Sequence, residues 1–117
     1  MVGKTKGESK MSNYVFIESR DPFESRDTEF LEETALAVKE RGHDVTVFLV
    51  QNGVLSARKT VRALGRLAES GVTLLADDLS LRERGINSDE LAPSIHEAGI
   101  DVLIDAIVQE NTKAIWH

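Results

Sequence analysis

DVTVFLV, residues 44–50, decides the fold. Only Asp44 and Thr46 interrupt its apolar run, so the strand it forms needs cover on both faces, as in a parallel sheet flanked by helices. The neighbouring segments agree. Ahead of it, residues 28–41 place Leu31, Ala35 and Val38 on one helical face beside Phe30, Thr34 and Ala37. Asp27 or Thr28 is suited to cap that helix and Gly42 to end it. Behind it, Gln51-Asn52-Gly53 turns the chain into a second helix expected over residues 56–70. Ala57, Val61, Leu64 and Ala68 would face inward there, and Arg58, Lys59, Arg62 and Arg66 outward. Gly71 closes it, and VTLLA, residues 72–76, reads as another strand.

Working outward, NYVFIE at 13–18 is a short buried strand, followed by a polar loop in which Pro22 breaks any continuation. The tetrapeptide Glu-Ser-Arg-Asp occurs twice in this loop, too closely spaced for a structural repeat. Residues 1–12 lack apolar periodicity and read as a disordered leader, with 13–117 as a single domain. Gly3-Lys4-Thr5 has no room upstream for the strand and glycine that a phosphate-binding loop requires. Residues 77–99 are the least regular, with one helical turn expected over 79–84 and another over 88–91, where Pro93 interrupts. Ile100, Leu103, Ile104, Ile107 and Val108 then define a helix over 100–109, and KAIWH supplies a final strand. Strands separated by helices imply an α/β fold, with a mainly parallel sheet of about four or five strands and helices on both faces.

The chain has 117 residues, a net charge of −6, 41% apolar residues and no cysteine. One core suffices at this length. Without cysteine there is no disulfide, thiolate metal site, redox pair or cysteine nucleophile. The acidic balance argues against a nucleic-acid partner, and no apolar run approaches a membrane span. A soluble cytoplasmic domain is expected.

Parallel sheets bind ligands outside the carboxyl ends of their strands, here the loops after Glu18, Val50 and Ala76. Residues 58–69 carry four basic side chains against one acidic, a basic island that would attract an anionic ligand or an acidic partner, or else form a solvated face. Asp77 and Asp78 follow a strand, where two carboxylates could hold a cation or share a proton, although Asp78 is equally a helix cap. His96 is the one histidine expected to reach the carboxyl edge, whereas His43 sits in a turn and His117 is terminal. Tyr14 and Trp116 read as packing or interface residues at the ends of outer strands. A phosphorylated receiver domain would need an acidic pair after the first strand, where this chain has only Glu18.

The ordered path from SRDPFES through GHDVTVFLVQNGVLSAR to GVTLLADDLSLRERGI resembles the DsrE/DsrF-like family of sulfur-relay proteins, over about residues 13–116. The resemblance implies a three-layer α/β/α sandwich assembling into trimers or hexamers, alone or with related subunits. It also implies a cysteine after the third strand that carries sulfur as a persulfide. Ala76 and Asp77 occupy the matching positions, and neither supplies the thiolate that sulfane transfer requires. The expectation is a non-catalytic binding or assembly subunit with no cofactor and no metal. Its pocket would be lined by Arg20, Asn52, Arg58, Asp77, Asp78, Arg82 and His96, and would suit a small anionic ligand. Two other readings are an enzyme or metal-dependent activity on Asp77, Asp78 and His96, and a purely structural oligomer.

Overall fold

The apolar run at 44–50 is divided between two cores by the two-residue period of a strand. Val45, Val47 and Leu49 enter one, while Phe48 and Val50 enter the other. The computed structural model describes residues 12–21, 27–61 and 64–117. In chain order these form β1 (Asn13–Glu18), α1 (Asp27–Glu40), β2 (Asp44–Leu49), a 3-10 helix (Gln51–Ala57), α2 (Gly65–Glu69) and β3 (Thr73–Asp77). There follow α3 (Asp78–Glu83), a 3-10 turn (Ser88–Glu90), β4 (Ile95–Ala98), α4 (Ile100–Ile107) and β5 (Thr112–Trp116). The strands make one parallel sheet in the order β4-β3-β2-β1-β5.

The two faces are covered unequally. Leu31 and Ala35 of α1, Val54 and Ala57 of the 3-10 helix, Leu67 of α2 and Leu81 of α3 pack with Phe16, Val47 and Leu74. On the other face Leu103 of α4 meets Val15, Ile17, Phe48 and Val50, with Ala106 and Ile107 beside it. This is the expected three-layer sandwich, with one layer supplied, among the described residues, by a single helix of eight residues.

Three expectations need correction. The helix expected over 56–70 is a 3-10 helix, an extended turn and the short α2. Arg58 is extended, at φ −69° and ψ 140°, and bridges antiparallel to Leu91. Lys59 N donates to Glu90 O and Ala92 N to Ala57 O, so the backbone bonds across to the chain leading into β4 instead of along a helix. Ala57 is fully buried as expected, Val61 and Leu64 are only half-buried, Leu67 is fully buried instead, and Arg62 lies outside the described residues. The irregular segment contains β4, which four residues and one buried side chain, Ile95, left without a readable period. Tyr14 lies on an interior strand, with β5 beyond it.

The expected leader lies outside the described residues except Ser12, whose N–H donates to His43 Nδ1 at 3.0 Å. Burial raises the Glu32 carboxyl above its ordinary range, against the opposing pull of Arg66, which reaches it from α2 at 3.5 Å. Among the described residues no helix is long and apolar enough to cross a membrane.

Two glycines answer to different constraints. Gly42 ends α1 at φ +92° with open space around it. At Gly53 an added Cβ would collide with the Glu18 carbonyl oxygen, which also accepts from Val50 N at 2.9 Å. Gly53→Ala is therefore expected to cost about 2–3 kcal/mol by overpacking against backbone. Gly42→Ala should cost about 1 kcal/mol through its left-handed φ alone. Urea unfolding midpoints measure both, and equal losses would contradict the assignment.

Candidate functional site

The carboxyl ends of β1, β2 and β3 lie along one edge of the sheet, and two hydrogen-bonded clusters are built there. The first grows from Asp77, the last residue of β3. It is 8% exposed and caps α3: its Oδ2 accepts from Ser80 N at 3.0 Å and from Ser80 Oγ at 2.7 Å. Ser80 Oγ in turn accepts from Gln51 N at 2.9 Å, across from the turn after β2. Gln51 holds a left-handed φ of 50°, and the bond to Ser80 helps fix that conformation. Arg84 adds a second tie, with Nε to Asn52 Oδ1 at 3.1 Å and Nη1 to Ser80 O at 3.2 Å.

The cap is thus Asp77 and not the expected Asp78. Asp78 opens α3 and lies near Gly99, where the chain turns into α4 on the opposite face from α3. Strands β3 and β4 therefore end in connections that diverge to opposite faces, the arrangement that opens a crevice in α/β sheets.

The second cluster is centred on Glu18, the last residue of β1, which is 3% exposed. Oε1 is 2.7 Å from His117 Nδ1 and Oε2 accepts from Arg20 N at 2.7 Å. Ser19 donates both N–H and Oγ–H to the His117 carbonyl, each at 3.0 Å, and His117 N donates to Ile17 O at 2.8 Å. The carboxylate orients the imidazole much as a second-sphere carboxylate orients a working histidine.

Of the seven expected pocket residues, Asn52 and Asp77 belong to the cluster at the β2–β3 edge, Asp78 lies near Gly99, and Arg20 stands beside Glu18 at the end of β1. Arg58 is carried away with the 3-10 helix, its Nε bonding Leu55 O at 3.1 Å. Arg82 is exposed on the far side of α3 from Arg84. His96 is paired with Leu75, two residues short of the strand end, and exposed on the outer strand β4, not in an irregular loop. No hydrogen bond joins it to Asp77 or Asp78 among the described residues. A cavity of about 240 Å³ opens elsewhere, lined by Ser56, Lys59, Leu64, Ala92 and Ser94, and none of the seven lines it.

Arg84, Ser80, Glu18 and His117 were not among the expected site residues. A helical wheel on residues 78–84 with Leu81 inward would have found Arg84, because Ser80 and Arg84 then share one flank and Arg82 the other. His117 carried no such signal, since only the β1–β5 pairing brings it to Glu18.

Asp77→Ala should cost about 1–2 kcal/mol by removing the cap, whereas Asp78→Ala should stay within about 0.5 kcal/mol. Glu18→Ala strands the Arg20 N–H and the imidazole, for about 1–3 kcal/mol. Thermal melts of the three variants check the order, and a larger loss at Asp78 than at Asp77 would reverse the cap assignment.

The model of the DsrE/DsrF-like family matches residues 12–113. No curated protein matches the chain. Among solved structures, the YchN protein of E. coli superposes with a TM-score of 0.83 at 16% identity, covering 92% of this chain and 100% of that one. The MTH1491 protein of Methanobacterium thermoautotrophicum, described as of unknown function, gives 0.76 at 17% identity, covering 92% and 99%. At these identities both likenesses bear on the fold, and the family match covers most of the chain. This cysteine-free chain belongs to the DsrE/DsrF-like family.

Proposed function

We infer that the chain is a sulfur-relay-type subunit that does not itself carry sulfur and acts by binding and assembly. The observation behind this reading is the state of Ala76 and Asp77, where the family resemblance places the sulfur-carrying cysteine. Ala76 is fully buried, and the Asp77 carboxylate is committed to Ser80 as a helix cap. A carboxylate neither attacks sulfane sulfur usefully nor holds it covalently, so transfer at this position has no nucleophile. The cluster of Gln51, Asn52, Ser80 and Arg84 is a hydrogen-bonded rim suited to a small polar or anionic ligand.

Assembly into a homo-oligomer, a trimer or hexamer of the family kind, finds support in α4. Leu103, Ala106 and Ile107 face the sheet. Ile104 is 50% exposed and Val108 72%, and Ile100 and Val102 are exposed with them. A helix apolar around most of its circumference is one that another surface covers. The metal or acid-base reading is less favoured, because Asp77 already accepts two hydrogen bonds and His96 stands on the outer strand.

Intact-mass spectrometry after incubation with a sulfane donor should show no added sulfur, and a stable covalent adduct would overturn the non-carrier reading. Light scattering should give a multiple of the 12.9 kDa chain mass, reduced by Ile104→Glu. A wild-type monomer would overturn the assembly reading.

A further inference from the structure

We propose that β5 is a seam along which two copies of this chain pair, antiparallel about a two-fold axis through Ala114, so that their sheets join edge to edge. The proposal rests on the assembly reading and names a surface for it. Strand β5 is exposed on both faces over Lys113, Ala114, Ile115 and Trp116, with Trp116 at 64%. Among the described residues only one of its edges is paired, to β1, in an unbroken register from Thr112 to Trp116.

The direction of its backbone groups is fixed by alternation. Asn111 O accepts from Asn13 N, while His117 donates to Ile17 O and accepts from Ser19 N, so the odd-numbered residues point their groups at β1. The N–H and C=O groups of Thr112, Ala114 and Trp116 therefore point outward, along the free edge.

That outward set maps onto itself about Ala114. Ala114 faces Ala114 of the second copy and Thr112 faces Trp116, all in hydrogen-bonding phase. The small residue falls at the axis, where side chains meet their own copies. On the other face Lys113 lies opposite Ile115, so the strand's one charge meets an aliphatic side chain and not its own copy.

Native edges are blunted by shortness, charge, proline or a bulge. Strand β4 follows that rule, with four residues and exposed His96 and Glu97. Strand β5 has neither proline nor bulge and a single charge, Lys113, and its exposed Trp116 shares a face with Ile17 on the α4 side of the sheet.

Ala114→Pro is the selective test. It deletes an outward N–H and leaves the bonds to β1, since proline is tolerated on an edge strand whose N–H faces solvent. The wild-type mass by light scattering should fall by half in Ala114→Pro while the circular dichroism spectrum is kept. An unchanged mass in Ala114→Pro, with Ile104→Glu still dissociating the protein, overturns the seam and leaves the assembly reading standing. A wild-type monomer overturns both.

A second variant guards against misfolding. Facing Cα atoms in such a pair stand about 5.5 Å apart, within disulfide range. Ala114→Cys in this cysteine-free chain should therefore give a disulfide dimer on mild oxidation, while Glu69→Cys stays monomeric on the same gel. Absence of that dimer overturns the proposal.

Discussion

Glu18 is where the parts of this protein are tied together. Its carbonyl oxygen accepts from Val50 and lies against Gly53, which sets how the chain leaves β2. Its carboxylate holds the Arg20 backbone and the His117 ring, which fixes the end of β5. A buried carboxylate is costly unless its lone pairs are satisfied, and here both oxygens are engaged. Because β5 buries little apolar surface, its position depends on the ladder to β1 and on this one anchored histidine.

A second buried carboxylate, Asp77 at the end of β3, serves a structural purpose as the cap of α3. Its bonds to Ser80, and those of Ser80 to Gln51, join the ends of β2 and β3 into one hydrogen-bonded unit. Arg84 extends the unit to Asn52. Such a unit holds the ends of β2 and β3 in fixed relation.

The unequal covering of the sheet gives the molecule its character. Among the described residues four elements bury one face, while α4 alone lies on the other with much of its apolar circumference exposed. The free edge at β5 continues that exposure. The proposed assembly rests on these exposed apolar surfaces.

The sequence by itself determined the alternation of strands and helices, the two-faced burial of β2, the family resemblance and the absence of a thiol. Those follow from local periodicity and residue chemistry. It did not reveal β4, whose four residues offer too short a period, or the break at Arg58, where pairing to Leu91 overrode helical propensity. Of the site, Asp77 and Asn52 were legible because they sit at strand ends. The Glu18–His117 pair joins residues far apart in the sequence, and the exposure of Ile100, Ile104 and Val108 was not legible because a wheel shows an apolar face but not what lies opposite it. Only the tertiary structure decides such matters, since long-range partners and the extent of a neighbouring layer are not properties of any local window.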